Sequence, residues 1–151
     1  MRHIDNWMNA AASIGVLLGI VFLGMEIRQN TEMMRSQARD AITEKQMMFS
    51  EWVTTEPDMA TALVAANQGT DSMTPDQFMM FAYFMAGVWR EWENSYYQYQ
   101  QGLFQENEFQ ARMRRWRSQM QMPAAASQWR ATREWYAPDF RAEVDAIVAA
   151  Q

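Results

Sequence analysis

The chain has 151 residues, a net charge of -5, a single His at position 3 and no Cys. That length suits one domain, and the depleted side-chain set excludes disulfides, thiolate or multi-His metal sites, a Cys nucleophile and a His-dependent triad. The acidic balance argues against nucleic acid as a partner, because phosphate contacts need a local excess of Lys and Arg.

The first predicted element is a membrane-spanning helix. Residues 6–25 carry no charge, and only Asn6, Asn9 and Ser13 are strongly polar. At 1.5 Å per residue, such a helix reaches about 30 Å, the thickness of the hydrocarbon layer. Trp7 stands where an interfacial aromatic belongs, and Glu26, Arg28 and Gln29 end the run. A buried core helix would show a polar stripe, whereas residues 14–25 are apolar on every side. A cleaved signal peptide would end in a small-x-small site, and this run ends in Leu23-Gly24-Met25-Glu26. Ala11, Gly15 and Gly19 recur every four residues and form a candidate face for helix association. Arg2 precedes the run, while Arg28, Arg35, Arg39 and Lys45 follow it, which predicts the N-terminus outside and the following domain in the cytoplasm.

From Glu26 to about Val53 there is no Gly or Pro. Thr31, Met34, Ala38, Ala41, Lys45, Met48 and Trp52 alternate spacings of three and four, so the membrane helix is expected to continue as a stalk until Pro57 stops it. The predicted organisation is a membrane segment over 1–25, a stalk over 26–55 and a domain of about five helices over 56–151, all-α throughout. Its first helix covers 58–68 and closes at Gly69. Thr74-Pro75-Asp76-Gln77 then reads as a capping box with Pro at the first helical position. The helix it opens runs to Gln101 and ends at Gly102. Phe78, Phe81, Ala82, Met85, Val88, Trp92, Tyr96 and Tyr99 make its apolar face, widened by Met79, Met80, Tyr83 and Phe84. A helix over 106–121 places Phe109, Met113, Trp116 and Met120 on one side, and shorter helices over 124–136 and 139–149 follow.

Two motifs stand out. Gly19-Ile20-Val21-Phe22-Leu23-Gly24-Met25-Glu26-Ile27-Arg28-Gln29-Asn30-Thr31 and the stretch from Arg90-Glu91-Trp92-Glu93-Asn94-Ser95-Tyr96-Tyr97 through Gly102-Leu103 resemble a group of uncharacterised bacterial membrane-anchored proteins. The resemblance implies an N-terminal anchor and a helical domain. No activity attaches to that group, so it carries over no functional residue.

Arg90, Glu91, Glu93 and Asn94 form the densest polar cluster on the aromatic helix. Buried groups of this kind need partners. The first reading is an internal ion-pair network fixing helix register, with Gln29, Asn30 or Arg133 as candidate partners. The second is a pocket for a polar ligand formed with Trp89, Trp92, Tyr96 and Trp116. Acid–base catalysis by Glu91 and Glu93 is third. Arg112, Arg114, Arg115 and Arg117 make the one basic run. They are expected first on a solvated face, with Arg112 pairing Glu108 four residues back, second against anionic lipid headgroups, and last against RNA or DNA. A di-iron site fails for want of Glu-x-x-His pairs, and the adjacent Met pairs point about 100° apart, so they fill gaps rather than bind a soft metal. No cofactor, metal site or catalytic residue is expected. The expected function is a non-enzymatic membrane-anchored interaction module that self-associates or docks on another membrane protein. The alternative is a ligand-binding or sensory domain centred on Trp92 and Glu93.

Overall fold

The computed structural model describes the backbone of residues 2–150 and the side chains of residues 7, 8 and 11–150. The expectations that rest on the side chains of Arg2, His3, Asp5, Asn6 and Asn9 lie outside the described residues. Among the described residues there are six α-helices and no strand: α1 (Arg2–Thr55), α2 (Pro57–Gln68), α3 (Pro75–Gln100), α4 (Glu106–Met120), α5 (Pro123–Thr132) and α6 (Pro138–Ala149). Short 3-10 turns cover Thr70–Ser72 and Arg133–Trp135. The chain divides into two compact units, Met1–Gln37 and Ala38–Gln151.

The first unit is helix α1 up to Gln37, and none of its apolar stretch is buried. From Ile14 to Met25 the large apolar side chains are all between 58% and 64% exposed, so no side of the helix is covered by protein. It is the one stretch among the described residues long and apolar enough to cross a membrane. Charged chemistry resumes at its end, where the Arg28 Nε donates to Glu32 Oε1 at 3.1 Å one turn on.

The second unit starts earlier than the expected boundary at residue 56, because residues 38–55 of α1 belong to it. The buried face there shares Ala38 with the stripe predicted for the stalk and departs from it by one residue after that. Ala38 and Ile42 are buried and Gln46, Phe49 and Val53 half-buried, whereas Ala41, Lys45, Met48 and Trp52 face solvent. Helix α1 approaches α3 closely at Gly87, where a Cβ would stand 3.2 Å from the Phe49 ring. That ring meets Phe84 edge-on at 5.5 Å.

Helix α2 buries Met59, Ala62, Ala65 and Ala66, three of them small enough to bring backbones together. It closes at Gly69 with φ +119° and ψ 166°, a region open essentially to Gly alone. Helix α3 starts at the capping box: Gln77 N donates to Thr74 Oγ1, and Thr74 N donates to Gln77 Oε1. It ends in a Schellman motif, with Leu103 N donating to Gln98 O, Gly102 N to Tyr99 O and Gly102 at φ +70°. Its buried face holds Phe81, Phe84, Met85, Val88, Trp89, Glu91, Trp92 and Ser95, while Met79, Tyr83 and Phe78 are exposed. The helix is thus more one-sided than its composition suggested.

Helix α4 buries the four predicted residues Phe109, Met113, Trp116 and Met120. The core is aromatic: Trp92 stacks on Trp116 at 4.7 Å, and Trp89 meets Trp129 edge-on at 5.4 Å. Phe140 of α6 closes it against Trp116 and Trp129. Each such ring removes about 150–250 Å² from water, which makes these residues the main source of the domain's stability.

Candidate functional site

Helix α3 carries its polar cluster on two sides, not one. Arg90 and Glu93 pair at 2.6 Å on the outer side. There Arg90 Nη2 donates to Trp135 O at 3.1 Å and the guanidinium lies 4.6 Å from the Tyr136 ring centre. Ala137 N donates to Glu93 Oε1 at 2.7 Å. These contacts fasten the connection between α5 and α6 onto α3, so the pair acts as a clamp on a turn. The expected partners are different ones: Arg133 pairs with Asp145 and Glu134, and Gln29 and Asn30 lie in the first unit. A shallow depression of about 360 Å³ adjoins the clamp, lined by Asn94, Tyr96 and Tyr97 among others. Tyr96 is half-buried between Phe109 and Phe140, and burial pushes its phenol pKa up.

Glu91 points the other way and is only 5% exposed. Ser95 Oγ donates to its Oε1 at 3.0 Å, and Arg112 Nη1 donates to the same oxygen at 3.0 Å. Gln46 of α1 lines the same cleft as this pair. Burial raises the Glu91 carboxyl above its ordinary range, against the opposing pull of Arg112. The same burial lowers the Arg112 guanidinium, and the nearby Glu91 charge offsets it in part. Each charge is tolerated because the other stands beside it.

This position of Arg112 corrects the reading of it as part of a solvated or lipid-facing row. Its side chain is 15% exposed, its planar head lies 5.0 Å from the Phe104 ring centre, and it pairs with Glu91 rather than Glu108. Glu108 instead pairs with Arg39 and accepts from Gln105 N at the start of α4. Position 112 flanks the buried 109, 113 and 116, so the helix turns it inward. Arg114, Arg115 and Arg117 remain exposed.

The buried pair lines a cleft of about 450 Å³. Phe49, Val53, Leu63, Met85, Val88, Trp92 and Trp116 supply apolar lining; Gln46, Asn67, Arg115 and Gln119 add polar groups. Of the residues expected in an aromatic-polar pocket, Glu91, Trp92 and Trp116 line this cleft, and Arg90, Glu93, Asn94 and Tyr96 line the other depression. Trp89 lines neither: it is fully buried, with its Nε1 donating to Gln128 Oε1 at 2.5 Å. The contribution of α1 to the cleft was missed from sequence. Its signal was present in Ile42, Phe49 and Val53, which recur on one side at spacings of seven and four.

Comparison with protein-family models, curated proteins and solved structures gives no match.

Proposed function

We propose that this chain is a non-enzymatic, single-pass membrane protein whose helical domain serves as an interaction module, assembling with copies of itself or with another membrane protein. The observation that carries the reading is the all-round exposure of the apolar side chains of residues 14–25. Nine large apolar groups with no protein cover are unfavourable in water and at home among lipid tails. The basic residues Arg28, Arg35, Arg39 and Lys45 that follow the run favour a cytoplasmic domain, with the N-terminus outside. The resemblance of its two motifs to bacterial anchored proteins supports the bacterial inner membrane as the site.

Association is assigned to the face of Ala11, Gly15 and Gly19. At both glycines the position of a Cβ meets nothing within 4 Å, which leaves the space a second backbone needs. Among exposed arginines, Arg114, Arg115 and Arg117 can contribute attraction to anionic headgroups, on the order of 1 kcal/mol each near a charged surface. Chemical cross-linking of the full chain in native membranes tests the module. The expected result is a cross-linked species that Gly15→Leu with Gly19→Leu removes and Ile14→Leu retains. A chain that stays monomeric and captures no partner contradicts the proposal.

A further inference from the structure

The cleft of the second unit is floored by core side chains such as Met85, Val88, Trp92 and Trp116, and its lining selects a chemistry. Its volume of about 450 Å³ falls in the range of roughly 300–1,000 Å³ typical of small-molecule sites. At roughly 30 Å³ per water-sized volume it holds about fifteen such units, and about one turn of a helix, so a small molecule suits it better than a protein segment. Phe49, Val53, Leu63 and Val88 give the lining apolar surface. On the same lining the charges of Glu91 and Arg112 cancel in their ion pair. That leaves Arg115, exposed on the same lining and without an ion-pair partner among the described residues. A cation would meet two arginines against one carboxylate, while a neutral molecule would leave Arg115 unused.

We propose that this cleft binds a single-chain amphipathic anion, a medium-length alkyl carboxylate or alkyl phosphate. Its chain lies along Phe49, Val53, Leu63 and Val88, and its head group is held by Arg115 next to the closed Glu91–Arg112 pair. Arg115 is a planar fork of donors that suits either head group. The inference stands on the second unit alone and does not require the chain to cross a membrane.

The test is calorimetric titration of the full-length chain in phosphatidylcholine nanodiscs, with empty nanodiscs as the blank. Four probes share one ten-carbon chain: decanoate, decyl phosphate, decyltrimethylammonium and decanol. The expected result is saturable binding of one or both anions, at least tenfold tighter than the ammonium or the alcohol. Preference for decanoate points to a free carboxylate as the natural ligand, and preference for decyl phosphate to a single-chain phospholipid. Arg115→Gln, at an exposed position, weakens anion binding at least fivefold and leaves helical content unchanged. Ser50→Trp, which places a large ring in the cleft from another exposed position, abolishes binding of every probe. Heats equal to those of empty nanodiscs overturn the proposal. So does an affinity order indifferent to head-group charge, or anion binding that neither variant alters.

Discussion

Residues 14–25 of α1 and the middle of α3 are comparably rich in large apolar side chains, and their surroundings are opposite. Along α1 every such side chain stands open at about 60% exposure. Along α3, Phe81, Val88, Trp89 and Trp92 are buried in the core, Trp92 against Trp116 of α4 and Trp89 against Trp129 of α5, and Glu91 among them is paired. The contrast teaches that apolar content does not decide burial within a protein. What separates the two is the pattern around the helix: α3 keeps Arg90, Glu93 and Tyr97 for its outer side, whereas residues 14–25 offer water no side at all.

Trp116→Ala should have the largest effect on this contrast. Trp116 is 1% exposed and contacts three other rings, so its removal is expected to cost about 3–5 kcal/mol in thermal or denaturant unfolding of the domain. Leu17→Ala, an apolar truncation in the first unit, should leave the same transition unmoved. If the two truncations destabilise the domain equally, the division into an unpacked and a packed region is wrong.

Breaking the buried pair comes next. Arg112→Met leaves Glu91 without its countercharge and is expected to cost about 2–3 kcal/mol, below the 3–5 typical of fully buried pairs because Arg112 keeps some exposure. The double variant Glu91→Leu with Arg112→Met should recover most of that loss, since a buried ion pair is often replaceable by apolar side chains. No recovery would mean that the pair contributes net stability of its own.

The titration of Glu91 has a definite sign. Its pKa in the folded chain lies above its ordinary 4.5, chiefly through burial, so the folded state holds the proton more tightly than the unfolded state. The stability this group contributes is fully present below pH 4.5 and lost as pH rises through the folded value. Compared with Glu91→Gln, the native chain should therefore lose stability across that interval. A melting-temperature difference that moves the opposite way between pH 4 and 7 would show that Arg112 outweighs burial.

A smaller effect is expected at the clamp. Glu93→Gln weakens a charge-assisted hydrogen bond to Ala137 N and the ion pair to Arg90, both near the surface, for a cost of roughly 1 kcal/mol. Hydrogen exchange at the α5–α6 connection should quicken while exchange in the α4 core stays slow.

Much of the fold could be read from local pattern. The capping box at Thr74, the stop at Gly102 and the buried row Phe109, Met113, Trp116 and Met120 depend on neighbours a few residues away, and the structure has all of them. The lower part of α1 was read one residue out of register. Ala38 is buried as expected, but beyond it the predicted stripe runs through Ala41, Lys45, Met48 and Trp52 while the packed side runs through Ile42, Gln46, Phe49 and Val53. The candidate site was legible in its composition but not in its partners. Helical spacing gave Arg112 the nearby Glu108, while the actual partner is Glu91, 21 residues back on another helix. No local rule ranks an exposed pair four residues apart against a buried one across helices. For the same reason the sequence could not separate Glu91, facing the cleft, from Arg90 and Glu93, facing the α5–α6 connection.

The claim on which the functional account depends is that residues 14–25 are covered by lipid. Detergent-free lysis followed by an alkaline carbonate wash measures this directly on the full chain. The account predicts that the protein stays with the membrane pellet through the wash and leaves it only with detergent. Recovery of the intact chain in the supernatant, as a well-behaved soluble species, would contradict it.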